Sequence, residues 1–438
     1  MNGLQTANAP SSKIVVPHFI AGGISFFIVA ILLAISTPEL LTAYYDNKLI
    51  AITHIAILGW ASMMVFGALY QLIPVVYETS LYSEKLSQIT FWLFLISVGS
   101  LSYSFWIGSY ADLLFYASLL MFSSLLLFII NLHLTYKKTK KPNIQSKFIN
   151  TGIYWLAATE LLGTLIALNF KYPFLTESHL HYLKIHAHLG LIGWFLLLIM
   201  GSASILIPMF MISHNLDENK LNKAYYFVNI ALLLISIDWL FIHTEYLIYL
   251  YWTIFAIGIG YFLSYVYDSH KNRLRRKLDV GLKYTVIAIF MLVLPLSLGL
   301  YLILTGANTP FALRVSTFYG LSILFGVISM LIFGQTYKTL PFIVWLDKYQ
   351  KHVGKKKVPL PRELYSEKIA DYQYYGYLIA ISLMAVGILT KHAIILQIGS
   401  GILVVVAVLN FWNILKMTLH KTRLEEMYSR LSLMSIVG

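Results

Sequence analysis

The chain of 438 residues contains no cysteine. Disulfides, thiolate metal sites and cysteine-ligated iron–sulfur clusters are therefore excluded. Charge is the second scarcity. Only 12% of the residues are Asp, Glu, Lys or Arg, roughly half of the ~25% usual in soluble domains. That leaves too little polar surface to cover a soluble globule of this size, and it excludes a cytosolic enzyme, a disordered chain and a secreted disulfide scaffold. No P-loop, nucleotide-binding fingerprint, CxxCH haem-attachment motif or hydrolase triad pattern is present.

What is abundant is apolar. Hydrophobic residues make up 58% of the chain and the mean hydropathy is +0.73. A spanning helix needs about 20 apolar residues. Twelve candidate spans are found, at approximately 14–36, 51–76, 88–108, 112–136, 149–170, 184–212, 223–243, 246–267, 284–305, 311–337, 371–390 and 393–417. The expected fold is an all-α membrane protein, a single polytopic domain over 1–438. The first residues lack the charged n-region and cleavage site of a signal peptide, so an uncleaved first helix is expected.

The net charge of +13 reads as topology and not as nucleic-acid binding. Of 32 Lys and Arg residues, five (Lys48, Lys171, Lys184, Arg314 and Lys391) fall toward one end of the spans, leaving 27 on the other. The positive-inside rule then expects a multi-pass protein of the cell (inner) membrane with both termini cytoplasmic. Membrane lipid is thus a partner by default. The run Lys355–Lys357 would suit anionic headgroups.

The strongest pattern is a repeat. The second span carries His54, Gly59-Trp60, Gly67 and Pro74. The sixth carries His188, Gly193-Trp194, Gly201 and Pro208. The tenth carries Leu321, Gly326, Gly334 and Pro341. The first positions are 134 and 133 residues apart (54 to 188 to 321). This predicts three four-helix repeats, about 14–136, 149–267 and 284–417, in a pseudo-threefold bundle with the motif helices lining the interior. Glycines at the recurring positions allow close helix approach.

Imidazole ligates haem iron, copper and zinc, and ionisable groups inside a membrane mark function. Seven of the 13 histidines lie toward the sparsely charged end: His54, His179, His181, His186, His188, His243 and His392. His54 and His188 recur at equivalent positions before Gly-Trp, which favours a ligand role over a structural one. His186 and His188 diverge by about 200° on a straight helix, so they are not expected to face one pocket without distortion; both are cofactor-ligand candidates, either one pairing with His54 about a haem while the other holds a propionate or a second metal. His179, His181 and His243 are further metal-ligand candidates, with loop residues as the plainer reading of the first two. The remaining six, including His18, read as interfacial. Glu160 and Asp238 within spans are proton-path candidates, or else packing residues. Arg314, Lys184 and Lys391 at span ends are candidates to hold haem propionates, or else snorkel to the interface.

Twelve helices, three four-helix units and His at the ends of the second and sixth helices resemble the catalytic subunit I of haem–copper oxidases. His186-Ala187-His188, with Gly193, Trp194, Gly201 and Pro208, is also similar to the His-Ala-His motif of the NnrS-type branch. The resemblance implies that His54 is a haem ligand, that His188 is a copper ligand and that His243 stands near the copper. It also implies haem b and copper as cofactors, quinol or a separate redox protein as electron donor, and other membrane subunits as partners. The family's His-x-His on the tenth helix is replaced here by Tyr319, Gly320 and Leu321, and its helix-7 His pair by a single His243. Terminal oxidase activity is therefore not expected. The favoured expectation is a haem-binding redox or nitric-oxide-related protein. The alternatives are a copper carrier or sensor using the cluster from His179 to His188, and a cofactor-free transporter or structural subunit.

Overall fold

Polar residues ahead of apolar runs start the helices. Side-chain oxygens of Ser11, Ser83, Asn143, Ser178, Asp279 and Thr309 accept backbone N–H bonds two or three residues on, satisfying first-turn donors that have no intrahelical partner. The computed structural model describes residues 10–244, 246–306 and 309–422. Twelve helices in it are long and apolar enough to cross a membrane: α1 Ser12–Ile35, α2 Asn47–Val76, α3 Glu84–Trp106, α4 Leu113–Tyr136, α5 Ile144–Asn169, α6 His179–Met211, α7 Glu218–Ile242, α8 Ile248–Lys271, α9 Val280–Thr305, α10 Pro310–His352, α11 Glu367–Thr390 and α12 Ala393–Thr418. No strand occurs among the described residues, only an isolated bridge between Ser213 and Arg273.

Nine of the twelve helices begin earlier than hydropathy alone suggests. α2, α6 and α7 each gain a polar first turn, such as Asn47-Lys48 and His179–His181. α10 runs well past the expected end near 337, carrying Pro341 in its interior. At 30, 33 and 43 residues, α2, α6 and α10 are the longest of the twelve, and they are also the most buried.

α3 pairs with α4, α7 with α8 and α11 with α12 as antiparallel hairpins, and α1 packs along α12. α2, α6 and α10 pack against α1, α5 and α9 respectively. Each of the three long helices widens into a π-helical stretch of eight residues: Ile55–Ser62, Leu189–Leu196 and Ser322–Ser329. These begin 134 and 133 residues apart (55 to 189 to 322), directly after His54, His188 and Leu321. A π turn displaces side chains from the regular α register and is frequent at functional sites.

The motif glycines meet matching neighbours. A Cβ on Gly67 would lie 2.8 Å from His18 Cβ, one on Gly201 2.9 Å from Phe148 Cβ and one on Gly334 3.1 Å from Tyr284 Cβ. One helical turn pair further along, Gly59 faces Ser25, Gly193 faces Trp155 and Gly326 faces Met291. Both rows of partners advance by 130 and then 136 residues (18 to 148 to 284; 25 to 155 to 291). His18 therefore departs from its expected interfacial place. It is 1% exposed, wedged over Gly67 and edge-on to Tyr70 and Phe91.

Buried amides lock the hairpins at the basic end. Asn131 Nδ2 donates to Ser83 O and Ser87 Oγ, while its Oδ1 accepts from Ser83 N–H. Asn413 does the same for Ser366 in the α11–α12 hairpin. Asn131→Ala leaves the half-buried Ser83 N–H without its acceptor, while Ser83 O keeps the Ser87 N–H and hydroxyl, which costs about 1–3 kcal/mol. A lowered thermal midpoint of the purified protein is the expected readout. At the same end, burial alone would raise the Asp279 carboxyl, but Lys338 and Arg275 bind it and hold it below the ordinary carboxylate range.

Candidate functional site

A cavity of about 1010 Å³ opens inside the bundle, lined by residues of α1 to α10 and of the loops at the His-bearing end. It reaches the upper end of the ~300–1,000 Å³ typical of small-molecule sites. Most of the wall is apolar. Its titratable members include His54, His179, His186, His188, Glu160 and Lys184, together with Tyr44, Tyr45, Tyr110, Tyr251 and Tyr319. Three of the motif histidines thus converge on one space.

Their rings are held in one manner. His54 Nδ1 lies 2.8 Å from Ile50 O, and His188 Nδ1 lies 2.8 Å from Lys184 O, each a carbonyl one turn back on its own helix. His186 Nδ1 lies 3.0 Å from Thr159 O across the gap to α5. A backbone carbonyl only accepts, so each Nδ1 carries the proton and each Nε2 keeps its lone pair. None of these three Nε2 atoms has a hydrogen-bond partner among the described residues. Nδ1 donation to a carbonyl is the usual second-shell arrangement of a metal-ligating histidine.

The two histidines of the His-Ala-His stretch face apart. His186 turns toward α5, where Gly163 makes its seat: a Cβ there would come within 2.7 Å of His186 Cε1. It lines the same cavity as His54, whose ring stacks on Phe105 at 4.8 Å. His188 turns toward α7 and α10, with Trp239 edge-on at 5.3 Å and Tyr319 near-parallel at 6.3 Å. The lining of this one cavity accordingly sorts by helix into two sides. One lies among α2 to α6 with His54, His186 and Glu160. The other lies among α6 to α10 with His188, Lys184 and Tyr319.

Aromatic rings close the rim of the first side. Tyr110 stacks on Phe170 at 4.7 Å, and Phe170 stacks on His179 at 4.0 Å. Tyr110 also donates from its hydroxyl to Asn47 Oδ1. Glu160 opens onto the cavity with Thr164 Oγ1 3.4 Å from Oε1. It immediately follows Thr159, whose carbonyl orients His186.

The other candidates lie differently. His181 Nε2 is 2.7 Å from Trp239 O, and its ring is 5.5 Å from that of His243. His179 Nε2 is 3.1 Å from Asn169 Nδ2. Among the described residues no three His, Asp or Glu side chains gather as a metal-binding group. Asp238 is fully buried and braces the end of α7: Thr244 donates to its Oδ1 through both backbone N–H and hydroxyl. It does not line the cavity. Arg314 spends its guanidinium on the carbonyls of Leu389 and Pro310, and Lys391 ends α11 in a left-handed conformation. Of the three cations suited to propionates, only Lys184 reaches the cavity.

Sequence spacing did not indicate Thr159, Gly163, Phe105 or Phe170. Thr159 and Gly163 are four residues apart and so share a helix face beside Glu160. That spacing was the available signal for the seat of His186. No protein-family model matches the chain, and no curated protein matches it either.

Proposed function

We propose that this is a haem-b-binding redox protein of the membrane, with His54 and His186 holding the iron from two neighbouring helices. The observation that carries the reading is the pair of carbonyl-locked imidazoles whose free Nε2 atoms share one largely apolar cavity. The residues fit the group. Neutral imidazoles with Nδ1–H engaged are haem-iron ligands, the glycine at 163 leaves room for the ring, and apolar walls suit a porphyrin face. When bound, haem supplies a one-electron couple. The protein's part is to fix both rings, to exclude water with the Phe105, Tyr110 and Phe170 rim, and to place Glu160 for proton exchange. Electrons would come from quinol or from a separate redox protein.

The recurring π stretches and the glycine contacts support a pseudo-threefold ring of the haem–copper oxidase subunit I type. The indole pairs point the same way around. Trp60 Nε1 donates to Ser329 Oγ of the third unit at 3.0 Å, and Trp194 faces Phe66 and Phe128 of the first. The 27-to-5 charge division supports cytoplasmic termini. A copper role has less to rest on, because His179 and His181 each place Nε2 against another partner.

The test is an absorbance spectrum of the purified protein, oxidised and dithionite-reduced, with metal content on the same sample. A Soret band with split α and β bands on reduction, and stoichiometric iron, is the expected result. A folded, colourless, iron-free protein from haem-replete cells rejects the reading. Gly163→Val, which forces the His186 ring from its seat, should lower haem occupancy several-fold while leaving the chain in the membrane.

A further inference from the structure

The second side of the cavity is not used by the haem reading. Its polar groups are gathered at one end. The Lys184 ammonium lies 4.1 Å over the Trp239 ring, and no carboxylate among the described residues lies within salt-bridge distance of it. His188, one turn further along the same face, presents an unpaired Nε2. The Tyr319 ring lies parallel to His188, and its hydroxyl has no partner among the described residues. Below these three groups the wall is apolar, formed by side chains such as Phe195, Phe255, Leu292, Leu296 and Leu324. One side of this space is thin. In the stretch Val293–Thr305 of α9 only Pro295 is buried, so that half-helix separates the cavity from lipid with little behind it.

A cation with no carboxylate in salt-bridge distance, beside a phenol at the head of a long apolar chamber, suits an acidic head on an apolar body; the buried Asp238, next to Trp239 on α7, is held by Thr244 and does not line the chamber. We infer that this space binds a carboxylate with a long apolar body, a membrane-derived fatty acid, with its head on Lys184 and Tyr319 and its chain along α8 and α9. The ammonium supplies a charge-assisted bond and the phenol a second donor. The chain replaces water against an apolar wall. The inference does not depend on haem, because it uses the opposite face of α6 from His186. A haem propionate carries the same head chemistry, and the test separates the two sources.

The experiment is native mass spectrometry of the full-length protein after incubation with deuterated palmitate, with hexadecanol as the uncharged control. One palmitate per chain should remain on the wild type and on Lys184→Arg. Retention should fall at least tenfold in Lys184→Met, and hexadecanol should not be retained. Equal retention in the wild type and Lys184→Met, or none in the wild type, overturns the inference. Loss of haem from Lys184→Met, with no palmitate on the wild type, assigns the carboxylate to the haem and also overturns it. The Lys184→Arg variant and the thermal midpoint of each protein separate ligand loss from misfolding.

Discussion

Replacing His54 or His186 with alanine should each lower haem occupancy of the purified protein by at least about tenfold, the lower end of the ~10–100-fold loss that even a second-shell change causes. Each substitution removes a side chain whose only fixed bond is Nδ1 to a backbone carbonyl and whose Nε2 faces the cavity. Neither ring bridges other helices through Nε2, so the bundle has little reason to fail with the ligand. His188→Ala is the informative control. That ring lies on the far side of α6 against Trp239 and Tyr319, and its loss should leave haem occupancy near the wild-type value. Iron and haem assayed per chain distinguish the three variants. Equal loss in all three would point to a general collapse of the cavity.

Gly334→Val should be among the most damaging substitutions available in the bundle. A Cβ at this position would come within 2.6 Å of Gly281 O and 2.7 Å of Thr285 Oγ1. The first obstacle is backbone and cannot swing aside. Overpacking in a dense core costs about 1–3 kcal/mol, and a backbone obstacle puts this site at the upper end or beyond. α9 and α10 approach so closely because both contacting positions are glycine, the arrangement that lets membrane helices pack backbone to backbone. Gly193→Val meets Trp155 Cβ at 2.6 Å and should behave alike, whereas Gly99→Val, with nothing within 4 Å, should be neutral. Thermal midpoints of the three variants in one detergent test this ordering. A stable Gly334→Val protein would contradict the observed helix approach.

These residues also indicate what could be read from sequence. The twelve helices were legible because a membrane imposes length and hydropathy on each span. Their starts were less so, since Asn47-Lys48 and His179–His181 look like loop until capping is considered. The motif rows on α2, α6 and α10 were legible because glycine and proline carry backbone requirements. Their partner rows on α1, α5 and α9 were not: Ser25, Trp155 and Met291 share a position but no chemistry, because each only has to fill the space beside a glycine. The divergence of His186 and His188 followed from helical geometry alone. Which of them shares space with His54 did not, because that depends on the packing of α5 against α6. His18 misled for a related reason. Its place near the end of the first span suggested an interface, but the close approach at Gly67 buries it.

Whether His54 and His186 share one iron is read by electron paramagnetic resonance of the ferric protein. With both imidazoles on the iron, the wild type should give a low-spin signal and the residual haem of His186→Ala a high-spin one. A high-spin wild type, or an unchanged low-spin signal in His186→Ala, would contradict the shared iron.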